Sequence, residues 1–193
     1  FHQIFFNGTP AISVPKSLQG RPSHDLDNIM AAFGLCKKIG ISSKQFSEAL
    51  ETFQKPSHRI EFVRQHNGIT YINDSKGTNI DAVIKAVACI EGKIILIAGG
   101  VDKGTAYTPW AEAFAEKVRC IFAIGQAAKK ITTDLDKHIP VRVCESLNAA
   151  VEAAHHEAAP GETVLLSPGC SSFDMFKDYA HRGDEFKRLV QAL

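Results

Sequence analysis

Ile72-Asn73-Asp74-Ser75-Lys76-Gly77-Thr78-Asn79 lies between a β-branched and aromatic run, Ile69 to Ile72, and an apolar-periodic segment, Ile80 to Ile90. Its place predicts a turn from a strand into a helix. Helix N-termini offer unpaired N–H groups, and in open α/β sheets the crevice beyond the carboxyl ends of the strands is where small molecules bind. Thr78 or Asn79 can serve as the helix cap with Asp81 complementing the dipole, which leaves Lys76 solvated. A carboxylate, an ammonium, two hydroxyls and two amides exceed what a cap requires, so the turn is also read as a ligand site.

Downstream, short apolar runs alternate with amphipathic ones. Lys93 to Ala98 ends in Gly99-Gly100, Thr108 to Val118 is expected to be helical, and Cys120 to Ile124 ends at Gly125. Val141 to Cys144 precedes a helix from Leu147 to about Ala158, Thr163 to Leu166 ends at Ser167-Pro168-Gly169, and Phe173 to Leu193 is expected to be helical with a break at Gly183. This alternation predicts an α/β fold: a Rossmann-like, largely parallel sheet with helices on both faces. Asp74 to Asn79, Gly99 to Gly104 and Ser167 to Ser172 each follow a predicted strand, which places all three turns on one sheet edge.

Upstream, Ile60 to Gln65 and Ile69 to Ile72 flank Asn67-Gly68 as a hairpin, and Gln54 to Ser57, carrying Pro56, is the expected domain boundary and hinge. Residues 1–55 are read as a hairpin around Asn7-Gly8 plus two helices. Ser23, after Gly20-Arg21-Pro22, would cap the first, and Ser42 with Gln45 forms a capping-box start for the second, through Phe53. A chain that opens in mid-hairpin without an initiator Met is expected to be a fragment, with residues 56–193 forming the complete domain.

Composition excludes several classes. The 193 residues carry a formal charge of +1, with basic residues spread rather than clustered, so no nucleic-acid partner is expected. No apolar stretch approaches a membrane span and no signal peptide is evident, so a soluble, cytoplasmic protein is expected. The five cysteines lie in apolar runs without C-x-x-C spacing, which argues against disulfides and zinc. His155-His156 is read as a solvated pair on a helix surface.

In Ala98-Gly99-Gly100-Val101-Asp102-Lys103-Gly104 the glycines allow close backbone approach and Lys103 supplies a mobile charge for a carboxylate or phosphate. The stretch fits neither a P-loop nor a dinucleotide fingerprint. In Ser167 to Asp174, hydroxyls and N–H groups are expected to gather at a helix start, either as an anion cradle or as an N-cap at Ser172. No histidine falls in the other two turns, so Ser172 or Cys170 acting as a nucleophile is a poor fit.

H-R-I-E-F at 58–62, Y-I-N-D-S-K-G-T-N at 71–79, A-G-G-V-D-K-G at 98–104 and L-S-P-G-C-S-S-F-D-M-F-K at 166–177 resemble the C-terminal domain of the Mur ligases, most closely the members that add D-glutamate to UDP-N-acetylmuramoyl-L-alanine. Residues 1–55 resemble the end of that family's central ATP-binding domain. His24-Asp25-Leu26-Asp27-Asn28 stands where the family commonly has H-N-x-x-N, so Asn28 keeps its amide and Asp25 replaces one. The resemblance implies an ATP-dependent amide ligase working through an acyl phosphate. It places Arg59 and Lys76 near the ATP phosphates as catalytic cations, and Asn28 and Asp74 in the ATP site, with Asp74 near the ribose. Thr78, Lys103, Ser172, Phe173 and Tyr179 are implied to line the D-glutamate site. Position 77 is Gly where the family often has Ala, and position 179 is Tyr where Phe is frequent. The P-loop, the Mg²⁺ ligands and the UDP-binding domain would lie upstream of Phe1, and a monomer is expected. The alternatives are a folylpolyglutamate synthetase-like ligase and a stand-alone nucleotide or anion-binding module.

Overall fold

The computed structural model describes residues 3–6, 9–13, 23–114 and 116–193. The chain divides into two compact units, Phe1–Lys55 and Pro56–Leu193. The expected turn at Asn7-Gly8, the segment Gly20-Arg21-Pro22 and the side chains of Ser23 to Asp25 lie outside the described residues.

In the first unit β1 (Gln3–Phe6) pairs antiparallel with β2 (Thr9–Ser13), and α1 (Ser23–Lys38) and α2 (Ser43–Glu51) follow. The Ser42 hydroxyl accepts the Gln45 N–H while the Gln45 side chain accepts the Ser42 N–H, a complete capping box. Ile12, Phe33 and Leu50 are buried here with Leu26, Ile29 and Phe46 packed against them.

The second unit is built on a six-stranded sheet of β3 (Glu61–His66), β4 (Ile69–Asn73), β5 (Ile94–Gly99), β6 (Val118–Ile124), β7 (Val141–Val143) and β8 (Thr163–Leu166). Their spatial order is β3-β4-β8-β5-β6-β7. Only β3 runs antiparallel, joined to β4 through Asn67 and Gly68, both at positive φ as the Asn-Gly hairpin signal requires. The central strands β5 and β8 are buried along their whole length because both faces are covered, and all but Thr163 of their residues are apolar or glycine. On one face α3 (Ile80–Cys89), α4 (Pro109–Phe114) and α5 (Ala128–Leu135) bring Val83, Trp110 and Ile131 onto Leu96, Ile121 and Leu165. On the other, α6 (Leu147–Glu157) and α7 (Tyr179–Ala192) bring Val151 and Phe186 onto Ile97, Phe122 and Leu166.

Four local expectations are corrected. Val118 belongs to β6 rather than to the preceding helix, because its pairing with Ile94 continues the ladder. α5 was not foreseen; its N-cap position is Ala127, which makes no side-chain capping bond, so the usual start signal is missing. The last helix begins at Tyr179 with Asp178 as N-cap, and it runs unbroken through Gly183. His155 is only partly solvated, since its Nδ1 lies 2.6 Å from the Tyr71 hydroxyl, while His156 is exposed as expected.

Candidate functional site

β4, β8 and β5 are neighbours, with Asn73 and Ile97 both in register with Leu166, so their carboxyl ends finish side by side. The three polar turns therefore meet on one edge, and backbone bonds fasten them together. Gly169 N–H donates to the Gly77 carbonyl at 2.8 Å, Gly99 N–H to Pro168 at 2.8 Å, and Val101 N–H to Ser171 at 2.9 Å. Gly100 sits at φ 133°, and a Cβ there would drive into the Ser171 carbonyl oxygen. Only glycine lets the β5 turn come this close to the β8 turn.

Lys76 and Tyr179 come together from β4 and α7. The Lys76 ammonium donates to the Tyr179 hydroxyl at 2.9 Å and lies 4.3 Å from the ring centroid. Lys103, exposed on the β5 turn, donates to the Thr78 carbonyl at 3.0 Å, so two of the residues implied for one substrate touch across the crevice. Asn79 is the N-cap of α3, its side chain accepting the Ala82 N–H, which leaves the Thr78 hydroxyl free of that duty.

Asp74 is only 6% exposed. Its carboxylate accepts the Ile60 N–H at 3.2 Å and the Ser167 hydroxyl at 2.6 Å, so it ties the segment before β3 to the turns after β4 and β8. That segment is unusual: His58 and Ile60 flank Arg59 with φ of 66° and 44°, values costly for a β-branched residue. The Lys76 N–H, the Glu61 carboxylate and Asp74 hold it in place, and Arg59 between them is exposed and makes no ion pair among the described residues.

The turn after β8 differs from expectation. Ser172 does not cap a helix: its carbonyl closes one turn onto Met175 and Phe176, after which Asp178, extended at φ −162°, restarts the chain and caps α7 with its own carboxylate. An open helix N-terminus is thus not what this turn offers an anion. What it offers is the Ser172 Oγ, 2% exposed as a residue, which with Asp174 Oδ1 is a buried polar atom lacking a hydrogen-bond partner among the described residues. Such atoms are rare in folded proteins and call for a partner such as a water, an ion or a ligand. Phe173 is 73% exposed beside them. Asn28 lies exposed on α1 in the first unit.

No motif in the sequence singles out Arg182. It is fully buried, and its guanidinium reaches all three turns: Nε donates to Ser75 Oγ at 2.9 Å, Nη2 to the Ser75 carbonyl at 2.8 Å and the Cys170 carbonyl at 3.1 Å, and Nη1 to Gly99 at 3.4 Å. Burial pulls its pKa down to about 10, so it remains a cation at neutral pH. The spacing held a signal, since Arg182 falls on the apolar stripe continued by Phe186, Leu189 and Val190. Gly183 beside it lets α7 lie directly on His58 and Asn73, where a Cβ would collide with the imidazole. Cys170 is inert: burial pushes its thiol pKa up, against a partial offset from the Tyr107 hydroxyl 3.0 Å away.

Among the described residues, no cluster of three or more His, Cys, Asp or Glu side chains could hold a metal ion, and no helix is long and apolar enough to cross a membrane. What the turns can do is present cations, hydroxyls and N–H groups to an anionic ligand.

The family described as Mur ligase, glutamate ligase domain, matches residues 58–170. The UDP-N-acetylmuramoylalanine–D-glutamate ligase of Protochlamydia amoebophila is 53% identical over 190 residues, covering 98% of this chain and 43% of that protein. The enzyme of the same name from Solibacter usitatus is 41% identical over 173 residues, 90% of this chain and 39% of its own. The MurF ligase of Thermotoga maritima, solved in complex with ADP, superimposes with a TM-score of 0.56 at 14% identity, covering 87% of this chain and 39% of that one. The chain thus spans less than half the length of the curated relatives it matches.

Proposed function

Because the chain belongs to the Mur ligase family through its glutamate ligase domain, we propose that it supplies the D-glutamate site and part of the ATP site of a ligase joining D-glutamate to UDP-N-acetylmuramoyl-L-alanine. The observation that carries this reading is the convergence of Lys76, Thr78, Lys103 and Ser172 on three turns fastened to one another. In this reading residues 56–193 are the family's C-terminal domain and residues 1–55 the end of its central ATP-binding domain, in a monomeric, cytoplasmic enzyme of peptidoglycan precursor synthesis.

The reaction transfers the γ-phosphoryl group of ATP to the substrate carboxylate with loss of ADP. The D-glutamate amine then attacks the acyl carbon, a C–N bond forms, the C–O bond to phosphate breaks, and phosphate leaves with the electron pair while the nitrogen loses a proton. Arg59 and Lys76 are the cations for phosphoryl oxygens. Arg59 suits the role because a strained, pinned backbone projects it with no ion pair among the described residues, and electrostatic stabilisation of this kind depends on groups already in place. Asp74 holds that segment to the turn carrying Lys76 and borders the nucleotide; Asn28, in the first unit, is assigned to the ATP site by the family resemblance alone. Lys103, Thr78 and Ser172 face the two carboxylates of D-glutamate, Ser172 with a hydroxyl that has no hydrogen-bond partner among the described residues. Phe173 and Tyr179 bound the site. Mg²⁺ accompanies ATP in this reading, and no residue of this chain is assigned to hold it.

The test is ATP-dependent amide formation by the full-length gene product. UDP-N-acetylmuramoyl-L-alanyl-D-glutamate and ADP should form together from D-glutamate. Product with a reduced folate and L-glutamate instead would favour a folylpolyglutamate synthetase-like enzyme, and ATP binding without turnover a binding module. The 193-residue chain alone should make no product.

A further inference from the structure

We infer that Arg182 is a positioning residue that aligns the amine donor with the activated carboxyl group by locking three turns into one arrangement; this rests on the ligase reading above. The residue touches none of the groups assigned to substrates, yet it reaches each turn that carries them. Its bonds to Ser75 fix the residue before Lys76, its bond to the Cys170 carbonyl fixes the turn that leads to Ser172, and its contact with Gly99 fixes the start of the turn that leads to Lys103. Ser75 extends the link, since its hydroxyl donates to the Tyr179 carbonyl at 2.7 Å while accepting from Arg182. The first turn of α7, which carries Tyr179 to Lys76, is therefore held by the same guanidinium.

The chemistry of the side chain explains why arginine stands here. A planar fork with five N–H donors can serve several acceptors in fixed directions; one ammonium at the end of a flexible stem cannot hold all of these with the same geometry. None of its four acceptors is a carboxylate, so the positive charge beneath the turns is balanced by backbone and hydroxyl dipoles, with Asp174 acting only across space. The arrangement is also sensitive to helix placement. Gly183 lets α7 approach, because a Cβ there would meet the His58 ring and the Asn73 side chain.

The consequence is specific to the second half of the reaction. Phosphoryl transfer to the carboxylate uses the nucleotide side of the site, whereas attack by the amine requires the donor turns to be in register with it. When they are out of register, water takes the place of the amine: it attacks the acyl carbon, the C–O bond to phosphate breaks, and the starting acid and phosphate are released. A misplacement of about 1 Å can cost about 100-fold in such a step.

In the full-length ligase, phosphate release and amide formation are measured together at saturating D-glutamate for wild type, Arg182→Lys, Arg182→Met and the milder Ser75→Ala, with thermal melting alongside. Amide formation should fall about 100-fold in both Arg182 variants and about 10-fold in Ser75→Ala. Phosphate release should fall much less, so that the ratio of phosphate to amide rises at least about 10-fold in the Arg182 variants and in the same direction in Ser75→Ala. That ratio does not depend on the folded fraction, so simple instability leaves it unchanged. An Arg182→Lys enzyme with the wild-type ratio, or amide and phosphate falling by one common factor in every variant, overturns the inference. Absence of D-glutamate ligation in the wild type overturns the ligase reading instead.

Discussion

The Lys76 ammonium and the Tyr179 hydroxyl, 103 positions apart in sequence, are joined by a 2.9 Å hydrogen bond at the meeting point of β4 and α7. The same ammonium lies 4.3 Å from the ring centroid, so the tyrosine holds it in two ways. A hydrogen bond to a charged group contributes about 1.5–3 kcal/mol, and a cation over a partly exposed ring about 0.5–1 kcal/mol. Tyr179→Phe keeps the ring, and is expected to stay within about threefold of wild-type kcat/KM for ATP because phosphate oxygens replace the hydroxyl when nucleotide binds. Tyr179→Ala removes both contacts and should lower it about 10- to 100-fold. Steady-state kinetics of the two full-length variants make the comparison.

Lys103 and Asp74 should separate cleanly. Lys103 is exposed and, among the described residues, is bonded only to a carbonyl, so Lys103→Ala is expected to leave the melting temperature near wild type while lowering kcat/KM for D-glutamate about 10- to 100-fold. Asp74→Ala strands the Ile60 N–H and the Ser167 hydroxyl, at about 1–3 kcal/mol for each donor left buried and unpaired. It should lower stability in urea titrations and raise the KM for ATP while leaving that for D-glutamate nearly unchanged. A normal D-glutamate KM and kcat in Lys103→Ala would remove Lys103 from the site.

These contrasts also mark what was legible in the sequence. The three turns were, because Asp74, Lys76, Lys103 and Ser172 are polar residues placed just after apolar runs, where period and punctuation speak clearly. The sheet order followed from them only in part, since nothing local says that β8 inserts between β4 and β5. Arg182 is hidden because a charged residue in a helix is ordinarily solvated, and three of its four acceptors are carbonyls whose positions exist only in the folded sheet. Gly183 was expected to break its helix because helix propensity penalises glycine; contact with His58 and Asn73 outweighs that penalty. The false helix start at Ser172 arose from a good capping residue whose following residues make a single turn, with Asp178 taking the role.

Gly183→Ala should therefore be destabilising despite alanine's higher helix propensity. Its methyl group would meet the His58 ring, and overpacking of this kind costs about 1–3 kcal/mol. Chemical denaturation would show it, and an unchanged midpoint would mean that α7 shifts freely.

Acid should weaken the fold at His155 before the carboxylates titrate. Burial, then repulsion from His156 and His66, holds its pKa below 6.5, and the Tyr71 hydroxyl requires a neutral Nδ1. Between the folded value and 6.5 the unfolded chain binds more protons, so stability rises with pH across that window and is lost as pH falls through it. Melting curves between about pH 5 and 8 should show the slope, and His155→Gln should flatten it. An identical slope in the variant would assign the dependence to another group.

β8 lies between β4 and β5, which never pair with each other. A chain emerging from the ribosome has therefore made both flanking strands, and everything between them, long before the piece that joins them. Until Thr163–Leu166 is available, each carries an open inner edge, the kind that recruits strands from other molecules. Closure depends on contacts distant in sequence, which slows folding. The same late event brings Ser171 to Val101 and Gly169 to Gly77, so no truncated product ending before β8 can assemble half a site.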